Sequence, residues 1–251
     1  AAIILGIYSF TLPKCPPQKL IATDASLGEK LGLNAFSLFG NSKMALFFLF
    51  SMFLGGALQL TNMYGDVYLS EFSKVPEYAN SFVVKYSTII MSISQVSETL
   101  FILAIPFFMK RFGIKQVMLI SMFAWVLRFA LFAFGDPSEG LWMIILSCII
   151  YGMAFDFFNV SGSLYIEKSD SPSIRSSAQG LFTMMVNGIG AILGSIGSGI
   201  IIQKFFVNSE SGIKNWQGIW LTFSAYSLIV AIAFIFLFKS PEKSENHALG
   251  S

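Results

Sequence analysis

The fold is decided by residues 89–108, IIMSISQVSETLFILAIPFF, and residues 149–163, IIYGMAFDFFNVSGS. Each stretch is apolar and carries a single charged side chain, Glu98 in the first and Asp156 in the second. With their apolar flanks, both are long enough to cross a bilayer, which takes about 20 helical residues. A charged side chain at the bilayer centre costs about 2.5–3.5 kcal/mol on insertion scales, so membrane helices usually turn such residues toward a water-filled cavity. The pattern predicts a polar cleft inside an all-α bundle of membrane helices.

The composition excludes several classes of protein. Of the 251 residues 12% are charged and 55% are hydrophobic, whereas a soluble domain is about one-quarter charged. The net charge of +2 is too small to indicate a nucleic-acid partner. The sequence contains no P-loop, HExxH or GxSxG motif, and its two cysteines do not form a CxxC pair. It therefore predicts an integral membrane protein that is not an enzyme and holds no metal.

Six apolar runs are predicted to span the bilayer as helices. They cover approximately residues 44–68, 81–108, 116–134, 141–166, 178–206 and 221–238, within a bundle over 43–239. Residues 1–12 are predicted to be the end of an earlier span, so we expect further membrane segments upstream. Residues 13–42 are predicted to be a connecting loop, in which LGEKLGLNAFSLF (27–39) has the apolar spacing of an interfacial helix. Residues 240–251 form a polar tail.

The basic residues in the connections predict the orientation in the membrane. Counted on alternate sides, three lie on one face, at Lys74, Lys204 and Lys214, and eleven on the other. The eleven are Lys14, Lys19, Lys30, Lys43, Lys110, Arg111, Lys115, Lys168, Arg175, Lys239 and Lys243. Because lysine and arginine accumulate on the cytoplasmic side, the loop at 13–42 and the C-terminal tail are predicted to be cytoplasmic. Lys85 and Arg128 then fall within the predicted spans.

Two pairs of polar side chains have the i, i+3 spacing that places them on one helical face. Gln59 and Asn62 lie on the first full span, and Gln95 and Glu98 on the second. Side-chain amides offer both donors and an acceptor, which suits a neutral planar heterocycle. The alternative is that the amides join helices, a contact worth about 0.6 kcal/mol in membrane proteins. Either carboxylate, Glu98 or Asp156, could instead form a structural ion pair with Arg128 on the next helix.

The fourth full span adds aromatic and acidic side chains, Tyr151, Phe155 and Asp156. Tyr151 and Phe155 are one turn apart, and an aromatic face can stack a base for about 1–3 kcal/mol. Asp156 can accept hydrogen bonds from ribose hydroxyls, as carboxylates do in dinucleotide sites. In so phenylalanine-rich a chain, Phe155 taken alone could equally be packing. The glycine-rich fifth span, with Gly190 and Gly194 in a GxxxG pair continued by Ser195 and Gly199, predicts close helix packing.

Five motifs resemble the nucleoside:proton symporter family of the major facilitator superfamily. They are GALQLTNMYG (56–65), IIMSISQVSETLFILAIPFF (89–108), WVLRFALFAFGDP (125–137), IIYGMAFDFFNVSGS (149–163) and IRSSAQGLFTMMVNGIG (174–190). The resemblance runs nearly end to end and concerns the C-terminal half of these twelve-helix proteins. It implies that the chain starts in helix six, continues through the central cytoplasmic loop, and contains helices seven to twelve.

The resemblance implies proton-coupled nucleoside uptake across a bacterial inner membrane by alternating access, with substrates such as uridine or adenosine. The implied binding residues are Gln59, Asn62, Gln95, Glu98, Tyr151, Phe155 and Asp156. Glu98 and Asp156 are the candidates for proton coupling, and the proton is the coupling ion, with no further cofactor. The missing N-terminal six-helix half would complete the site. Two alternatives stay open: a carrier of another neutral polar solute such as a sugar, and a membrane scaffold that does not transport.

Overall fold

A computed structural model describes residues 2–13, 28, 32–169, 174–208 and 212–238. Within these residues the secondary structure is helical, apart from an isolated antiparallel bridge between Val207 and Lys214. Five of the described helices are long and apolar enough to cross a membrane. Most of the predicted loop at 13–42 and the whole tail at 240–251 lie outside the described residues.

The helices are numbered here in chain order. They are α1 (Ala2–Ser9), α2 (Ser42–Glu71), α3 (Phe82–Lys85), α4 (Ser87–Phe134), α5 (Leu141–Ser169), α6 (Arg175–Thr183), α7 (Ala191–Phe205) and α8 (Trp216–Leu237). A π-helical segment, Met184–Gly190, joins α6 to α7 and makes them one continuous membrane-length helix. Asparagine side chains cap the N-termini of two of the long helices. Asn41 accepts a hydrogen bond from the backbone amide of Lys43 at the start of α2, and Asn215 accepts one from the backbone amide of Gly218 at the start of α8.

Helix α4 contains two of the predicted spans. Its 48 residues would extend about 72 Å at 1.5 Å per residue, more than twice the bilayer core. Gly113 interrupts it with φ 78° and ψ 172°, a conformation that a residue with a Cβ rarely adopts. Ile105 and Val117, from the two sides of this break, pack in one cluster with Phe157. The two arms, 87–112 and 114–134, are therefore separate helices that fold back on each other, and the six predicted spans are all present.

The second span begins later than its hydrophobicity predicts. The short helix α3 ends at Lys85, and Tyr86 has φ −131° and ψ 37°, so the long helix starts at Ser87. Lys85 is exposed and lies before the spanning helix, and the prediction that it falls within the span is wrong. The apolar residues on both sides of the break concealed it. In the predicted interfacial segment, the described part is a 3₁₀ helix, Leu33–Gly40.

A polar turn reverses the chain between α4 and α5. The Asp136 carboxylate accepts hydrogen bonds from the Ser138 amide at 2.7 Å and the Gly140 amide at 3.1 Å. The Ser138 hydroxyl also donates to it, and these bonds lower the pKa of Asp136. The buried Tyr68 hydroxyl of α2 reaches the carbonyls of Phe132 and Gly135 at 2.8 and 2.7 Å. The turn is thus tied to the end of α2.

Glycines allow α2 to approach the π-helical segment and α7 at backbone contact. A Cβ on Gly55 would lie 2.0 Å from the Val186 carbonyl oxygen, and one on Gly194 would lie 2.7 Å from the Gly56 Cα. Gly190 likewise faces the backbone of Met52. The predicted close packing at Gly190 and Gly194 is confirmed. The close packing does not extend to Gly199, because a Cβ placed there would have no atom within 4 Å.

Gly55→Ala in a full-length protein containing this chain is expected to destabilise the fold. Overpacking of this kind costs about 1–3 kcal/mol, and the upper end is expected because the Cβ would meet backbone that cannot rotate away. The measurement is the thermal unfolding temperature of the purified protein in detergent. Gly197→Ala is the matched control, since a Cβ there meets nothing within 4 Å. Equal unfolding temperatures for the two variants would contradict this packing.

Candidate functional site

The first arm of α4 and helix α5 cross at backbone contact, which positions the polar residues of both. A Cβ on Gly152 would lie 2.6 Å from the Glu98 backbone nitrogen and 2.6 Å from the Ser97 carbonyl carbon. The Ser97 hydroxyl also donates a hydrogen bond to the Ile149 carbonyl of α5. Because Gly152 is adjacent to Tyr151, this crossing brings the Glu98 side chain to the Tyr151 side chain.

Glu98, Tyr151 and Asp156 form one electrostatically connected group. The Tyr151 hydroxyl and the Asp156 carboxylate both interact electrostatically with the Glu98 carboxylate. Glu98 is partly exposed, whereas Asp156 is 5% exposed. One carboxylate oxygen of Asp156, Oδ2, is buried without a hydrogen-bond partner among the described residues. Buried polar atoms are normally paired, so this oxygen is available to a proton, a water or a guest molecule.

An aromatic wall stands beside the carboxylates. The rings of Tyr151 and Phe155 are parallel, with an interplanar angle of 2° and 6.0 Å between centroids. Trp125 of the second arm meets Tyr151 edge-on, at 5.8 Å and 88°. Tyr151 is buried, and Phe155 is partly exposed at the end of this stack. A flat apolar surface is therefore presented next to two acidic groups.

The three amides predicted for the site have no hydrogen-bond partner in the part of the chain that the structure describes. Gln59 is partly exposed, and Asn62 and Gln95 are exposed. Within the described residues, none of these side chains makes a hydrogen bond, so they do not join helices of this chain. By contrast, the Asn159 amide donates to the Phe155 carbonyl of its own helix at 2.9 Å. The donors and acceptors of Gln59, Asn62 and Gln95 are thus free for another molecule or for another part of the protein.

Among the described residues, Arg128 does not form the ion pair with a carboxylate that the sequence left open. Among the described residues the salt bridges are those of Glu71 with Lys74 and Lys214. The Arg128 guanidinium instead lies over the Tyr151 ring, with its central carbon 4.5 Å from the centroid. It still interacts electrostatically with Glu98 from that position. No group of three or more potential metal ligands occurs among the described residues.

Comparison with known proteins identifies the family. The family model described as nucleoside H+ symporter matches residues 1–243. The chain belongs to the nucleoside H+ symporter family. Xanthosine permease of Escherichia coli K12 is 54% identical over 253 residues, covering 99% of the chain and 60% of the permease. Nucleoside permease NupG of the same organism is 54% identical over 237 residues, covering 94% of the chain and 56% of NupG.

Solved structures confirm the fold of this chain. A crystal structure of the nucleoside transporter NupG matches with a TM-score of 0.79 at 53% identity. A crystal structure of an aspartate-to-alanine NupG variant matches with a TM-score of 0.82 at 54% identity. Each match covers at least 95% of the chain and 58% of the solved chain. This share agrees with the predicted correspondence to one six-helix half and the segment before it.

These relatives are permeases and transporters, so the prediction that the chain is not an enzyme is confirmed. They and the membrane-length helices make it a multi-pass membrane protein. The chain spans 60% or less of the length of the relatives named here.

Sequence reasoning missed two residues that shape the candidate site, Gly152 and Trp125. The sequence did contain a signal for Gly152, namely a glycine in the interior of a predicted helix. Such a glycine costs about 1 kcal/mol relative to alanine and often marks close packing. Trp125 had none, since a tryptophan in an apolar span is normally core or interfacial. Its edge-on contact with Tyr151 depends on how the second arm folds back at Gly113.

Proposed function

We propose that this chain is the C-terminal half of a proton-coupled nucleoside transporter, which takes up nucleosides by alternating access. The observation that carries the proposal is the group formed by Glu98, Tyr151 and Asp156 beside the exposed end of the Tyr151–Phe155 stack. It combines an aromatic face with two acidic groups inside membrane-spanning helices. Membership of the nucleoside H+ symporter family supports the substrate class and the coupling ion.

Each part of a nucleoside has a suitable partner in this site. The base stacks against Phe155 and Tyr151, a contact worth about 1–3 kcal/mol in nucleic-acid complexes. The free amides of Gln59, Asn62 and Gln95 hydrogen-bond the base edge, and the carboxylates accept from ribose hydroxyls. Uridine and adenosine both meet these requirements. The residues of the missing N-terminal half close the site from the other side.

Proton coupling rests on the cost of two neighbouring carboxylates in a poorly hydrated site. Like charges repel strongly at low dielectric, so loading one proton lowers the free energy of the closed, occupied state. Glu98 and Asp156 interact electrostatically with each other, and either can take that proton. Release of the proton on the cytoplasmic side then favours return of the empty carrier.

The location proposed for this carrier is the bacterial inner membrane, with the loop at 13–42 and the C-terminal tail in the cytoplasm. The described basic residues Lys110, Arg111 and Lys115 lie around the break at Gly113 and support a cytoplasmic turn there. In that location the outer faces of the helices contact the lipid bilayer.

Uptake of a substrate panel by the full-length protein in proteoliposomes tests the proposal. Labelled uridine and adenosine are expected to accumulate when the outside is acidic and to equilibrate without accumulation when the pH gradient is collapsed. Glucose and other sugars are the controls and should neither accumulate nor displace labelled uridine. Displacement by a sugar alone would favour a carrier for another polar solute, and absence of any net flux would favour a scaffold. Either result would overturn the proposal.

A further inference from the structure

Arg128 is a fully buried charge in the interior of a membrane helix. It lies on the second arm of α4 and has 0% of its surface exposed. An ionised side chain in such a place is costly unless hydrogen bonds and an opposite charge compensate it. The residues around Arg128 therefore have to supply hydrogen bonds and an opposite charge, and their identity indicates the role of Arg128.

The hydrogen bonds of Arg128 connect it to two neighbouring helices. Its Nη1 donates to the Ser147 carbonyl of α5 at 2.6 Å, and the Ser147 hydroxyl donates back to the Arg128 carbonyl at 2.9 Å. Its Nε donates to the Thr61 hydroxyl of α2 at 3.4 Å. Nη2 has no hydrogen-bond partner among the described residues. The guanidinium is held in place, but these partners are neutral and leave its charge unbalanced.

The Arg128 guanidinium packs against an aromatic ring of the proposed substrate site. The guanidinium carbon lies 4.5 Å from the centroid of Tyr151 and 5.0 Å from that of Phe132. Gly152, the next residue after Tyr151, packs against the Glu98 backbone, and both Tyr151 and Arg128 interact electrostatically with the Glu98 carboxylate. Cation–π contacts are stronger in a desolvated site than at an exposed one. The Tyr151 ring thus contacts the buried cation and interacts with the carboxylate.

We propose that Arg128 is a positioning residue for nucleoside binding, which acts on Glu98 by holding the Tyr151 ring and balancing the carboxylate charge in the empty site. Thr61, which accepts from Arg128, lies between Gln59 and Asn62 on α2, so the same guanidinium also ties the amide-bearing helix to the carboxylates. The inference rests on the proposed function and adds a residue that does not itself touch the substrate.

The other titratable groups around Arg128 belong to the elements packed against it. Helix α5 contributes Cys148, Tyr151 and Asp156, and the first arm of α4 contributes Glu98. Helix α2 contributes the neutral Thr61. Cys148 and Tyr151 are neutral in their ordinary protonated forms, and Asp156 interacts with Arg128's neighbour Tyr151. Glu98 is therefore the carboxylate on which removal of the Arg128 charge should act.

The test is a double-mutant cycle in the full-length protein with Arg128→Met and Glu98→Gln, read by uridine binding and by unfolding temperature. Arg128→Met is expected to weaken uridine binding at least tenfold when Glu98 is present and less than threefold when position 98 is glutamine. The unfolding temperature is expected to fall in each single variant and to recover in the double variant, because the buried Arg128 charge and the carboxylate charge that balances it are then removed together. Arg128→Lys keeps the charge and is expected to retain more binding than Arg128→Met.

Arg111→Met is the matched control, since Arg111 is exposed and lies over the Phe112 ring at 5.7 Å. Its effect should be the same whether residue 98 is glutamate or glutamine. Equal effects of Arg128→Met in both backgrounds, on binding and on unfolding temperature, would overturn the inference. If Arg128→Met alone fails to fold, recovery of folded protein in the double variant supports the inference and continued failure overturns it. The unfolding cycle needs no substrate, so it separates this inference from the proposed nucleoside transport.

Discussion

Uridine-driven proton uptake is expected to fall about tenfold or more when Glu98→Gln or Asp156→Asn is introduced into the full-length protein. Each substitution keeps the shape of the side chain and removes its ability to carry a proton as a carboxyl group. Hydrogen bonds to charged groups contribute about 1.5–3 kcal/mol, and about 1.4 kcal/mol corresponds to one factor of ten. The measurement is the pH change inside proteoliposomes when uridine is added outside.

The two carboxylates differ in their surroundings, which allows the substitutions to be told apart. Asp156 is buried, with one oxygen that has no partner among the described residues, whereas Glu98 is partly exposed and interacts with Tyr151. The variant that still exchanges labelled uridine across the membrane but moves no proton identifies the coupling carboxylate. The variant that loses exchange as well identifies the carboxylate needed for binding.

Glu139→Gln provides the matched control for both variants. Glu139 is an exposed carboxylate in the turn between α4 and α5, outside the helices that carry the site. Its substitution should leave uridine-driven proton uptake at the level of the unmodified protein. If Glu98→Gln and Asp156→Asn both couple as well as Glu139→Gln does, neither residue carries the proton and the assignment of the site is wrong.

Phe155→Leu is expected to weaken uridine binding by about fivefold to 150-fold. Leucine keeps most of the apolar volume but removes the ring that stands parallel to Tyr151 at 6.0 Å. Base stacking on an aromatic side chain contributes about 1–3 kcal/mol, which corresponds to the stated range. Titration of uridine into the purified full-length protein measures the change.

Phe157→Leu removes a ring two residues away on a different face of α5. Phe157 is fully buried, and its ring packs against those of Phe101 and Phe108 at 5.9 and 4.9 Å. This variant should lower the unfolding temperature and leave uridine affinity within about twofold. A larger loss of affinity in Phe157→Leu than in Phe155→Leu would mean that general damage to α5, and not loss of stacking, explains the effect.

Much of the fold could be predicted from hydrophobicity alone, because a membrane helix must satisfy its backbone hydrogen bonds within itself. The positions of the six spans follow from that requirement. Their boundaries do not follow from it, because the break at Tyr86 lies inside a run that is apolar on average, and it places Lys85 outside the second span. The reversal at Gly113 coincides with the basic segment 110–115, which a sequence can reveal. How the two arms then pack depends on contacts distant in the chain.

The members of the site were predictable as residue types on helical faces, but their mutual contacts were not. Spacing places Tyr151 and Phe155 one turn apart, and the structure finds their rings parallel. Spacing gives no information on which helix crosses α5. The crossing helix is the first arm of α4, whose backbone at Ser97 and Glu98 packs directly against Gly152. For Arg128 the sequence offered an ion pair, whereas the structure has a guanidinium over Tyr151. Cross-helix geometry accounts for each of these differences.

The central claim is that Glu98 and Asp156 serve one nucleoside in one shared site. An experimental structure of the full-length protein with uridine bound tests it most directly. The account predicts that both carboxylates lie within about 3.5 Å of the same uridine molecule or of a water bound to it, with the base against Phe155. A uridine bound elsewhere, or one that touches neither carboxylate, would contradict the account.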